Sequence, residues 1–130
     1  QVLPLKFGPG LIDGGNLSYS NYDDGANEWG PWIVVPVESF IFNGYTNTII
    51  ASLEFQGTNY TNDNPLSGQP AFGGTNTNEL DSVWGTTLLD LSSLATGSKI
   101  RLKFDLGSTR NFGCSGRGCW YPYNPHFVPS

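Results

Sequence analysis

The sharpest pattern in the chain is the run Lys99 to Leu106, KIRLKFDL. Ile100, Leu102, Phe104 and Leu106 alternate with Lys99, Arg101, Lys103 and Asp105. Strict period-two alternation predicts an antiparallel strand with one face on a core and one in water. Ser82 to Leu91 (SVWGTTLLDL) and Thr48 to Phe55 (TIIASLEF) read as two further strands, and Ile33 to Val37 and Asn16 to Tyr22 as shorter ones. Val2 to Phe7 contains Pro4, which cannot donate to a ladder, so it suits an edge or a strand end. Between these runs stand turn signals such as DGG, DDG, NG and SGQP. No segment carries a helical period. The pattern predicts an all-β fold, an antiparallel β-sandwich of jelly-roll type. The piece from Gly57 to Leu80 has no strand signal, but Leu66, Pro70, Ala71 and Phe72 are spaced to anchor it as a packed surface loop.

Composition narrows the function classes. A chain of 130 residues makes one domain with a core of its own. Six basic side chains against eleven acidic ones give a net charge of −5, which argues against nucleic acid, whose phosphates need a concentrated basic surface. Lys99, Arg101 and Lys103 read instead as the wet face of one strand. No apolar run is long enough for a transmembrane segment. The chain starts at Gln1 and lacks methionine, which points to a processed, secreted product. Cys114 and Cys119, in CSGRGC, are placed to close a small disulfide ring, worth roughly 2 kcal/mol by loop entropy. Two thiols without further ligands at metal spacing do not make a zinc site.

Candidate chemistry is sparse. His126 is the sole histidine, and no nucleophile motif such as GxSxG occurs, so no enzyme is expected. The stretch DGGNLSYSNYDDGANEW offers calcium ligands in Asp13, Asp23, Asp24 and Asn27. Asp and Asn also cap turns through their own backbone, and that reading makes the stretch a hairpin first, with no cofactor required. Trp120, Tyr121 and Tyr123 form a WYPY cluster suited to stacking on sugar rings, whereas Trp29 and Trp84 suit a core. Asn16 and Asn59 head N-x-S/T glycosylation sequons.

Four pieces also stand in one order: DGGNLSYSNYDDGANEW, NGYTNTI, NPLSGQPAFGG and TTLLDLSSLATGSKIRLKFDLGS. Together they resemble the MAM-like jelly-roll modules appended to secreted bacterial peptidases and other large extracellular proteins, over roughly Leu11 to Trp120. The resemblance implies a non-catalytic module with attachment or recognition roles. Two departures stand out. The chain ends GCWYPYNPHFV where the family continues a strand, and only QVLPLKFGPG stands where the family carries several additional strands. Residues 1–10 are therefore expected to be an N-terminal arm and residues 11–130 a single sandwich.

A sandwich short of strands leaves an open edge or an open groove in its core. One repair is a strand from another subunit, with Val2, Leu3, Leu5 and Phe7 as the inserted or edge-pairing residues. The same segment could equally pair at home as an ordinary edge strand. The expectation is a secreted subunit that associates with copies of itself, or with another extracellular protein, in an extracellular or cell-surface filament. The alternatives are a carbohydrate-binding or adhesion module, and a proteolytic piece of a larger protein.

Overall fold

The computed structural model describes residues 2–3, 11–55, 57–73, 85–110, 113–115 and 118–120; of residues 2–3, 55, 113–115 and 118–120 it describes the backbone alone. The strands are β1 (Val2–Leu3), β2 (Gly14–Asp23), β3 (Glu28–Trp29), β4 (Ile33–Val34), β5 (Phe40–Phe42), β6 (Asn47–Thr48) and β7 (Ser52–Phe55). After them come β8 (Thr58–Thr61), β9 (Pro70–Ala71), β10 (Leu88–Leu89), β11 (Ile100–Gly107), β12 (Gly113–Ser115) and β13 (Gly118–Trp120). Every pairing between these strands is antiparallel, so the chain is an all-β protein.

β2 organises the principal sheet. It pairs with β11 from Gly14↔Gly107 to Asn21↔Ile100, with β4 through Ser18↔Val34 and Tyr19↔Ile33, and with β3 through Tyr22↔Trp29 and Asp23↔Glu28. Its sequence, GGNLSYSNYD, is unusually polar for a central strand. It is tolerated because Asn16, Ser20 and Asn21 donate to loops that fold over it. The Ser20 hydroxyl donates to the Gly30 carbonyl at 2.8 Å, and the Asn21 amide to the Leu94 carbonyl at 2.8 Å. The Asn16 amide donates to Gln69 Oε1 at 2.9 Å and to the Pro70 carbonyl at 3.2 Å. The two glycines opening β2 allow close approach. A Cβ at Gly14 would lie 2.7 Å from the Phe72 carbonyl, and one at Gly15 2.8 Å from both Phe104 and Leu106 side chains.

Among the described residues the buried apolar ones are few: Val35, Ile49, Tyr60, Ala71 and Leu94. Ile49 and Ala71 pack beside Gly14, which places the core under the first half of β2. The expected strand Thr48–Phe55 is broken there. The backbone at Ile49–Ile50 turns aside to bond Gln69 and Leu11, and strand geometry resumes only at Ser52. From Ile33 to Val37 only Ile33–Val34 is strand, since a 3-10 turn over Val37–Ser39 follows Pro36. Within Ser82–Leu91 the strand is Leu88–Leu89; Trp84 lies outside the described residues.

The described part of the long piece, residues 57–73, is packed, as expected, but it also contains two strands that its Asn- and Thr-rich sequence hides. The rest of the piece lies outside the described residues. β8 pairs with β7 and β9 with β6. Between them the Asn62 side-chain amide donates to the Ile50 carbonyl at 2.9 Å and the Asn64 amide to the Ile12 carbonyl at 2.9 Å. Both asparagines are buried, and they fasten the loop to the Ile50 backbone and to the bend that leads into β2.

Candidate association surface

The register of β2 on β11 sorts side chains onto two faces, because residues directly opposed in a ladder share a face. One face carries Ile100, Leu102, Phe104 and Leu106 beside Asn21, Tyr19, Leu17 and Gly15. The other carries Arg101, Lys103 and Asp105 beside Ser20, Ser18 and Asn16. Alternation in the sequence puts the first face on the core and the second in water. The structure inverts this. Leu102, Phe104 and Leu106 are 45%, 55% and 81% exposed, and Ile33, which joins the same face through Tyr19, is 46% exposed.

The charged face is the better covered one. The Arg101 guanidinium lies 4.4 Å from the Trp29 ring and 4.5 Å from the Trp32 ring, Lys103 lies 4.7 Å from Trp32, and Lys99 4.9 Å from Tyr22. Trp29 meets Tyr22 edge-on, with ring centroids 5.3 Å apart. These cation–π contacts account for Lys99, Arg101 and Lys103 more closely than a plain solvated face does. Lys103 also forms an ion pair with Asp105 along the strand, at 3.3 Å.

The apolar face continues sideways as a row of rings. Phe104 stacks on Phe72 with centroids 6.4 Å apart, Phe72 meets Tyr45 at 4.9 Å, and Tyr45 meets Phe40 at 4.6 Å. The Tyr45 hydroxyl donates to the Leu17 carbonyl at 3.1 Å. Burial pushes this phenol above its ordinary value, and the Leu17 N–H, which donates to its oxygen at 3.4 Å, opposes the shift. Where Phe72, Phe104 and Leu106 meet Gly15, the surface opens into a groove of about 470 Å³.

The strand bearing this face is also an edge. β11 ends the order of its sheet, and among the described residues nothing pairs with its outer side. Tyr22 N–H donates to the Lys99 carbonyl at 3.0 Å, so odd-numbered residues of β11 bond toward β2 and even-numbered ones point away. Their β2 partners agree, since Leu17 and Gly15 bond to Val35 and Phe72 on the opposite side. The backbone groups at the open edge thus belong to Ile100, Leu102, Phe104 and Leu106, the four apolar residues.

The residues singled out from sequence fall as follows. Val2 and Leu3 pair with Trp120 and Cys119 of the same chain, which is the home-pairing alternative; Leu5 and Phe7 lie outside the described residues. Cys114 and Cys119 occupy directly opposed positions in the β12–β13 hairpin. Of the WYPY cluster only the Trp120 backbone is described, while Tyr121, Tyr123 and His126 lie outside.

The calcium set is corrected. Asp13 precedes β2 and Asp23 ends it, and ten residues of strand separate them by roughly 30 Å. Each carboxylate caps backbone instead. Asp13 accepts from Thr109 N–H at 2.8 Å, Asp23 from Gly25 and Ala26 N–H at 2.9 and 3.1 Å, and Asp24 from Ser98 N–H at 3.1 Å and the Ser98 hydroxyl at 2.6 Å. Asn27 takes a left-handed φ of 56° in the hairpin turn and its side chain meets the Tyr22 hydroxyl. The stretch is a hairpin.

The Asn16 sequon is corrected too. Asn16 is 0% exposed, with its amide bonded to Gln69 and Pro70, so a glycan there is incompatible with the fold. Asn59, on β8, is exposed.

Compared with protein-family models, curated proteins and solved structures, the chain matches none.

Proposed function

We propose that this chain is a non-catalytic subunit of an extracellular or cell-surface assembly, and that it associates through the apolar face and open edge of β11. One observation carries the reading: three alternate apolar residues, Leu102, Phe104 and Leu106, stand exposed on a strand whose outer backbone groups have no partner among the described residues. Soluble proteins blunt such edges or cover them, because an exposed apolar edge invites pairing with another chain. The expected donor Val2–Phe7 is a weaker candidate than β11, since its first residues already pair with β13. The opposed positions of Cys114 and Cys119 suit a cross-strand disulfide, and with it an oxidising location.

No helix among the described residues is long and apolar enough to cross a membrane. Association is tested by sedimentation equilibrium across a dilution series. Masses that are multiples of 14.1 kDa support the reading. A folded monomer at every concentration overturns it, and a monomer retarded by polysaccharide in affinity electrophoresis would replace it with the carbohydrate-binding alternative.

A further inference from the structure

Resting on the proposed association, we infer that the occupant of the open β11 edge is β11 of a second copy, antiparallel about a two-fold axis, with Phe104 opposite Phe104. Charge selects this register. The residues whose backbone points outward are Ile100, Leu102, Phe104 and Leu106, so hydrogen-bonded pairs across a new ladder must join even-numbered residues to even-numbered ones. That parity leaves only a few central registers.

Placing Leu102 opposite Leu102 sets Arg101 against Lys103 twice. Placing Leu102 opposite Phe104 sets Lys103 against Lys103, and placing Phe104 opposite Leu106 sets Asp105 against Asp105. Like charges directly opposed across a ladder are destabilising. Of these registers only Phe104 on Phe104 is free of them. Leu106 on Leu106 also avoids them, but it sets Lys103 and Asp105 against uncharged residues and leaves the first half of the strand unpaired. The Phe104 register does better. It sets Lys103 against Asp105 twice, Leu102 against Leu106 twice, and Arg101 against Gly107.

The Lys103–Asp105 pairs then fall at positions that are not hydrogen-bonded, where strands lie closest and side chains meet best. Lys103 and Asp105 already sit within 3.3 Å of each other on one chain, so the two-fold axis would assemble four alternating charges into one cluster. On the opposite face the two copies join their apolar residues side by side, with the Phe104 rings at the centre. An isologous contact of this kind closes on itself, making a dimer the unit from which any larger assembly is built.

The test is a pair of charge variants, Lys103→Asp and Asp105→Lys, studied alone and mixed. Each alone opposes like charges twice and should weaken dimerisation roughly tenfold or more. An equimolar mixture pairs the all-acidic edge with the all-basic one, so it should recover dimers of wild-type affinity, as should the doubly swapped K103D/D105K chain. Circular dichroism of each variant separates lost pairing from lost folding, and a variant that cannot fold would not be rescued by mixing. If the wild type is monomeric, the association itself fails. If the wild type associates but the single variants associate as strongly, or mixing restores nothing, this register fails while association stands.

Discussion

Replacing Leu106 by aspartate separates the two environments that this side chain can have. In the lone subunit Leu106 is 81% exposed, on an edge strand, beside Gly15. Removing an exposed leucine costs almost no burial. The remaining penalty is the poorer strand propensity of aspartate, so the isolated subunit should lose less than about 1 kcal/mol. In the two-fold assembly each of the two Leu106 side chains is partly buried against Leu102 of the other copy, and the two together contribute about 1.5–3 kcal/mol to association. Since every 1.4 kcal/mol is about tenfold, L106D should raise the dissociation constant about 10- to 150-fold, before any cost of burying the new carboxylate. Urea unfolding of dilute protein measures the first quantity and sedimentation velocity the second. The reasoning is refuted if the dissociation constant stays put. It is equally refuted if the dilute subunit loses 2 kcal/mol or more, because Leu106 would then be covered by its own chain.

Other substitutions probe the frame behind that surface. Asn16→Asp would set a buried carboxylate against the Gln69 and Pro70 oxygens; a loss of about 2–4 kcal/mol in urea unfolding is expected, and a neutral result would contradict the burial of this residue. In a glycosylating host, enzymatic deglycosylation should remove sugar from Asn59 and none from Asn16, as read by peptide mass. The Ser98 hydroxyl and amide hold the Asp24 carboxyl below its ordinary value of 3.8. A carboxyl depressed in the folded state contributes stability that is full above the unfolded value and is lost as pH falls through the folded one. Ser98→Ala should therefore flatten the acid limb of the stability profile below about pH 4, and an unchanged limb would count against the contact. Intact mass before and after reduction should show the native chain gaining two hydrogen atoms if Cys114 and Cys119 are joined.

Much of the frame was legible in the residues. KIRLKFDL announced its strand because period two is unambiguous over eight positions, and the DGG to NEW stretch announced a hairpin because Asp23 and Asn27 are turn residues by chemistry. The face that has a partner was not legible. Alternation separates apolar from polar positions but says nothing about what covers either, and Trp29 and Trp32 cover Arg101 and Lys103 from outside the strand. Asn16 read as a surface sequon because its partners Gln69 and Pro70 lie more than fifty positions away. β8 and β9 were hidden for a similar reason. The segment between them is fastened by the buried side chains of Asn62 and Asn64, which resemble loop residues until their carbonyl partners are known. The missing cover over Leu102, Phe104 and Leu106 had one early sign, the small number of strands available to close a sandwich.

Residue-resolved amide exchange across a dilution series addresses that cover most directly. The amides of Leu102, Phe104 and Leu106 point away from β2, so nothing described in the lone chain protects them. In concentrated native protein they should exchange as slowly as those of Arg101 and Lys103, and should turn fast on dilution. Fast exchange at every concentration would mean that no second strand ever arrives, and slow exchange in the dilute monomer would mean that the chain closes this edge by itself.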